Sequence, residues 1–130
     1  MNEITVQSKA RTVFIDITSA VQQFAAEKEM KNGVITVFVP HTTAGVTINE
    51  NADPDVTVDM ETALDRMVPW SGGYRHSEGN AAAHVKASLT GSSAQVLVKN
   101  GKLLLGTWQS IYFCEFDGPR TRTVWLKELV

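Results

Sequence analysis

Gln95-Val96-Leu97-Val98-Lys99-Asn100-Gly101-Lys102-Leu103-Leu104-Leu105 decides the fold class of this chain. Both residues of an Asn-Gly pair tolerate positive φ, and the flanking runs are apolar and of strand length, so the stretch predicts a tight hairpin of strands 95–99 and 102–105. Downstream, residues 110–116 and 121–129 alternate around Asp117-Gly118-Pro119-Arg120, a turn by composition, and predict a second antiparallel pair. Upstream the chain changes character. β-branched runs at 3–7 and 12–16 predict strands, and Ile17, Val21, Phe24 and Ala25 recur at helical spacing. A Thr18 or Ser19 cap and the Asn32-Gly33 stop bound that helix at roughly 18–31. The apolar run 34–39 reads as a strand buried on both faces. A short strand at 45–49 leads to Asp53-Pro54, a helix start, since Asp accepts from unpaired N–H groups and Pro suits the first helical position. Val56, Met60, Ala63, Leu64 and Met67 form that helix's inward stripe, which ends before Pro69. A loop at 70–75 precedes a third helix capped by Asn80 and ended by Gly91, with Val85 and Leu89 inward. The expectation is an α+β fold: one domain over 1–130, a mainly antiparallel sheet, two to three helices and a polar rim of loops.

Composition narrows the function. With 130 residues, 43% of them hydrophobic and 20% charged, the chain can bury a core of its own but not two. A net charge of -2 lacks the basic surplus of nucleic-acid and anionic-membrane binders. No run approaches the ~20 apolar residues of a membrane span, and residues 1–6 lack the basic and apolar regions of a signal peptide, so a cytoplasmic protein is expected. The single cysteine, Cys114, lies in an apolar run and reads as a buried hydrophobe. Phosphate-loop, dinucleotide, nucleophile-elbow and Cys-x-x-Cys signatures are absent from the sequence.

The chemistry-bearing residue types concentrate in two stretches: 41–54, from His41 through Thr42, Thr43, Asn49 and Glu50 to Asp53, and 76–84, with His76, Glu78, Asn80 and His84. These include every histidine in the chain. Three neutral imidazoles suit zinc or another transition metal, although their spacing matches no known metal signature, so convergence would have to come from the fold. Asp53 and Asp55 are explained by the helix start they flank. Asp59, one turn beyond Asp55, either chelates a hard cation or faces water. Glu50, in an amide-rich run, is harder to explain by capping and reads as an acid, base or ligand. Thr42, Thr43 and Gly45 form either a phosphate cradle at a strand end or a plain Thr-rich turn. Gly106-Thr107-Trp108-Gln109 suggests a bulge, with Trp108 packed and Gln109 a polar site group. Arg120 either clamps an anion or pairs with Asp117.

The segments 40–45, 49–56, 76–86 and 106–120, in that order, resemble the YjbQ family of secondary thiamine-phosphate synthases across essentially the whole chain. The resemblance implies a compact α+β fold, a homotrimer, and the coupling of a hydroxymethylpyrimidine diphosphate to a thiazole phosphate with release of diphosphate. The resemblance places His41, Thr42, Asn49, Glu50, His76, Glu78, Asn80, His84, Gln109 and Arg120 on matching positions without assigning their roles; the catalytic candidates are Glu50, Glu78, His41 and Gln109. The substrate-binding candidates are Thr42, Thr43, Asn49, Asn80 and Arg120, and the metal candidates are His41, His76 and His84. Magnesium would accompany the diphosphate, because it prefers oxygen ligands. A small phosphorylated substrate is the expected partner, with no nucleic acid and no membrane. The alternatives are a metal- or phosphometabolite-binding protein with incidental synthase activity, and a hydrolase in which Glu50 or Glu78 activates metal-bound water.

Overall fold

A computed structural model describes residues 2–130. In chain order the elements are β1 (Asn2–Gln7), β2 (Val13–Asp16), α1 (Thr18–Glu27), β3 (Asn32–Phe38), β4 (Ala44–Glu50) and α2 (Asp55–Met67). They continue with α3 (Ala81–Thr90), β5 (Ser93–Lys99), β6 (Lys102–Leu103), β7 (Gln109–Glu115) and β8 (Thr121–Leu129). Every strand pairing is antiparallel. Five strands form one sheet in the order β1-β8-β3-β5-β6, and three form another in the order β2-β7-β4. The α+β expectation is met. Among the described residues, no helix is long and apolar enough to cross a membrane.

Alternation along the strands explains the core. Val6, Ile35, Val37, Val96, Val98, Val124 and Leu126 from the larger sheet meet Ala44, Val46, Ile111 and Phe113 from the smaller one, and Val21, Phe24 and Ala25 of α1 join them. The opposite face of the smaller sheet presents Tyr112 and Cys114 and packs, with Phe116, against Ala83 and Ala87 of α3. Asn100 and Gly101 take φ of 52° and 80°, as the hairpin requires.

Several expectations need correction. The run 34–39 is not buried on both faces, because β3 lies inside an antiparallel sheet whose outer face, with Phe38, Leu97 and Leu129, is exposed. Helix α1 stops at Glu27, four residues early, where Glu29 turns back through a φ of 53°. No residue of α2 is buried; Leu64 alone of its expected stripe packs against the second core cluster, and Met67 is 66% exposed. On α3, Val85 and Leu89 point outward and Ala82, Ala83, Lys86 and Ala87 inward. The reason is close approach to β4: a Cβ on Gly45 would lie 2.3 Å from Thr90 Oγ1 and 2.6 Å from Gly91 O, so only small side chains fit between helix and strand. Strand β6 is two residues long rather than four.

Candidate functional site

The site lies where β3 gives way to β4 and α3 begins. Strand pairing between β3 and β8 ends at Phe38 and Trp125, and Pro40, lacking an N–H, cannot extend it. The His41 ring takes over that edge: its Nε2 lies 3.0 Å from Thr123 N and 3.1 Å from Thr123 O. An unpaired buried N–H is rarer and costlier than an unpaired carbonyl, so hydrogen-bond satisfaction assigns Nε2 as the acceptor from Thr123 N–H and places the proton of the neutral ring on Nδ1. Burial, and next the nearby Arg122 guanidinium, hold the His41 pKa below its ordinary value against the opposing Thr123 contact.

Beneath this ring is an ion pair that composition did not reveal. Glu115 is 0% exposed and Arg122 4%. Arg122 Nε donates to Glu115 Oε1 at 2.9 Å and Nη2 to Oε2 at 2.6 Å, while Nη2 also donates to Thr43 Oγ1 at 2.8 Å. Ser8 Oγ and the Asp117 N–H complete the carboxylate's partners at 2.7 and 3.0 Å. Burial, the largest single influence, raises the Glu115 pKa, but the bonds from Arg122, Ser8 and Asp117 together outweigh it and hold Glu115 below the usual carboxylate range. Arg122 Nη1 has no protein partner among the described residues. The turn above is fitted tightly onto this pair: a Cβ on Gly118 would lie 2.3 Å from Ala10 O and 3.0 Å from Glu115 Cγ.

A cleft of about 420 Å³ opens over these groups, lined by Pro40, His41, Thr42, Thr43, His76, Glu78, Asn80, His84, Asp117, Arg120 and Arg122. The fold thus brings together all three histidines with Thr42, Thr43, Glu78, Asn80 and Arg120. Arg120 also makes the surface pair, with Nη2 donating to Asp117 Oδ2 at 3.0 Å and Nε to Asp117 O at 2.9 Å. Asn80 donates through Nδ2 to that same Asp117 Oδ2 at 2.8 Å. A carboxylate accepts only from the amide NH2, so this bond fixes the orientation of Asn80, and its buried Oδ1 is an acceptor without a partner. Asn80 therefore does not cap α3 through its side chain, contrary to expectation.

The remaining candidates lie elsewhere. Asn49 and Glu50 end β4, six residues from Ala44 and about 20 Å from the cleft at ~3.3 Å per residue, with Glu50 opposite Gln109 in β7. Gln109 Oε1 accepts from Gly106 N–H at 2.8 Å and Asn49 Oδ1 from Glu50 N–H at 2.7 Å, local bonds that shape their own loops. Trp108 is 61% exposed rather than packed. Cys114 is fully buried, and burial pushes its thiol up to about 12, far from a thiolate nucleophile.

The histidines supply donors that suit a transition metal. His76 and His84 touch edge to face, with ring centroids 5.1 Å apart. His41 would complete a ligand set through Nε2 only by giving up its bond to Thr123, and as arranged no three His, Cys, Asp or Glu side chains among the described residues are grouped to hold an ion.

Comparison with known proteins agrees with this architecture throughout. The family model described as UPF0047 protein YjbQ-like matches residues 2–129. The UPF0047 protein YugU of Bacillus subtilis is 52% identical over 128 residues, 98% of this chain and 97% of the relative. YjbQ of Escherichia coli O157:H7 is 34% identical over 86% of this chain and 83% of its own. A crystal structure of a yjbq/upf0047 family protein from Clostridium acetobutylicum is 53% identical, covers 99% of this chain and 100% of that one, and superposes with a TM-score of 0.97. APE1520 from Aeropyrum pernix, 38% identical over 98% of this chain and 96% of its own, superposes at 0.93. The chain belongs to the YjbQ-like UPF0047 family.

Proposed function

We propose that this protein is a transferase of the thiamine-phosphate synthase type, coupling a hydroxymethylpyrimidine diphosphate to a thiazole phosphate at the histidine-arginine cleft. The observation that carries the reading is the convergence of His41, His76, His84, Asn80, Arg120 and Arg122 on one polar cleft, from three separate parts of the chain. In this reaction the thiazole nitrogen forms a bond to the methylene carbon as the carbon–oxygen bond to diphosphate breaks, and diphosphate departs with the electron pair. No proton need leave the attacking nitrogen. The catalytic task is to hold a polyanion and to stabilise the charge that grows on its departing oxygen. Arg122 suits that task. Its guanidinium is locked by Glu115 and Thr43, so its unpartnered Nη1 costs little further ordering when it donates to a phosphoryl oxygen. The Nδ1–H of neutral His41 is a second fixed donor, and Arg120 adds a more exposed cation at the rim.

Two partners belong to the same proposal. A divalent metal, at His76 and His84 or carried in as magnesium on the diphosphate, would supply charge neutralisation and leave His41 as the Nδ1–H donor. A homotrimeric, cytoplasmic assembly would cover the exposed outer face of the larger sheet, where Phe38 and Trp125 stack with centroids 5.9 Å apart.

Incubation of the pyrimidine diphosphate with and without the thiazole phosphate tests the reaction. Coupling that requires the thiazole supports the transferase. Diphosphate release without it identifies a hydrolase, and no turnover with tight binding identifies a binding protein.

A further inference from the structure

The cleft has a neighbour on the far side of its histidines. His41, Thr42 and His84 also line a second chamber of about 520 Å³, continued by Ala44, Ala87, Ser88, Gly91 and Ser92. The two chambers share a wall and differ in chemistry. The first carries Glu78, Asp117, Arg120 and Arg122; the second has no Asp, Glu, Lys or Arg side chain.

We propose that the second chamber is the subsite for an uncharged planar ring of the phosphorylated substrate, whose phosphoryl group lies in the first chamber. This rests on reading the first chamber as a phosphate site. Three observations favour a ring. Ala44, Ala87 and Gly91 give the wall small apolar patches between the hydroxyls of Thr42, Ser88 and Ser92, a surface on which a flat group can lie. An ionised group placed there would lose water without gaining a counter-ion. Ser88 Oγ already donates to His84 O at 3.0 Å, so toward the chamber it offers only an acceptor, matching an N–H on a heteroaromatic ring. The shared histidines then stand at the junction of ring and phosphoryl group, where a linking carbon would lie. The volume falls within the ordinary range of small-molecule sites.

Benzyl phosphate and inorganic phosphate, titrated calorimetrically into the full chain, separate the two chambers. The expected result is benzyl phosphate binding at least tenfold more tightly than inorganic phosphate. Ser88→Trp and Ser92→Trp each place a large side chain at an exposed position lining the second chamber, and a melting curve shows that each variant is folded. Each should abolish the tenfold preference and leave inorganic phosphate affinity within twofold. A preference that is absent from the unaltered protein, or that survives in both folded variants, overturns the ring subsite. Failure of inorganic phosphate to bind the unaltered protein overturns the phosphate site on which it rests.

Discussion

Replacing Arg122 by Met separates what the buried ion pair does for stability from what it does for the ligand. The single change leaves the Glu115 carboxylate fully buried, with Ser8 Oγ and the Asp117 N–H as its remaining partners. Breaking a buried pair from one side costs about 3–5 kcal/mol, against a total stability of about 5–15 kcal/mol for a domain of ordinary size. For 130 residues that corresponds to a fall in Tm of about 10–20 °C. Replacing both partners, Arg122→Met with Glu115→Leu, removes the stranded charge as well. The double variant should therefore recover most of the loss, short by about 1 kcal/mol for the Asp117 N–H left without its acceptor. Ligand binding should not recover, because the guanidinium is gone. Denaturant unfolding reads the first quantity and calorimetric titration with diphosphate the second. A double variant that binds diphosphate as tightly as the unaltered chain would refute the assignment of Arg122 to the ligand. A single variant destabilised by less than ~1 kcal/mol would refute the account of the pair itself.

Arg120→Ala should weaken diphosphate binding by about 1.5–3 kcal/mol with little change in Tm, and unchanged affinity would leave Arg120 to its surface bond with Asp117. His41→Ala and His84→Ala should each abolish most coupling activity, with the double variant little worse, as for groups that act as one unit; small additive losses would sink the shared site. Acid should destabilise the fold in two stages, read by melting curves from pH 8 to 3. His41 has a native pKa below its ordinary 6.5, so the native state binds fewer protons than the unfolded one and stability falls as the pH drops through and below 6.5. Glu115 lies below its ordinary 4.5, so its contribution, present above that value, is lost as the pH falls through the native value; His41→Ala should remove only the upper stage. Zinc reconstitution followed by elemental analysis should give close to one metal per chain if the histidines hold an ion, and less than ~0.1 would remove the metal from the proposal.

The sequence was most legible where local chemistry decides the backbone. Asn100-Gly101 specified a hairpin, and the alternation over residues 121–129 gave β8 its bounds. It was least legible where partners set the outcome. Val85 and Leu89 look like the inward face of α3, yet the helix turns its alanines inward because Gly45 lets it approach β4 so closely. His41 and Glu50 look like neighbours in one motif, but Glu50 is the last residue of the seven-residue β4 that begins after His41, and antiparallel register places it opposite Gln109 at the far end. Glu115 and Arg122 were overlooked although a signal was present. Each falls in phase with inward apolar residues, Glu115 with Ile111 and Phe113, Arg122 with Val124 and Leu126, and a charge in that phase must have a buried partner.

Crystals soaked with diphosphate test the central claim most directly. The account predicts a phosphoryl group in the cleft, with oxygens within about 3.2 Å of Arg122 Nη1 and His41 Nδ1. Diphosphate held elsewhere, with the cleft empty at saturating concentration, would contradict it.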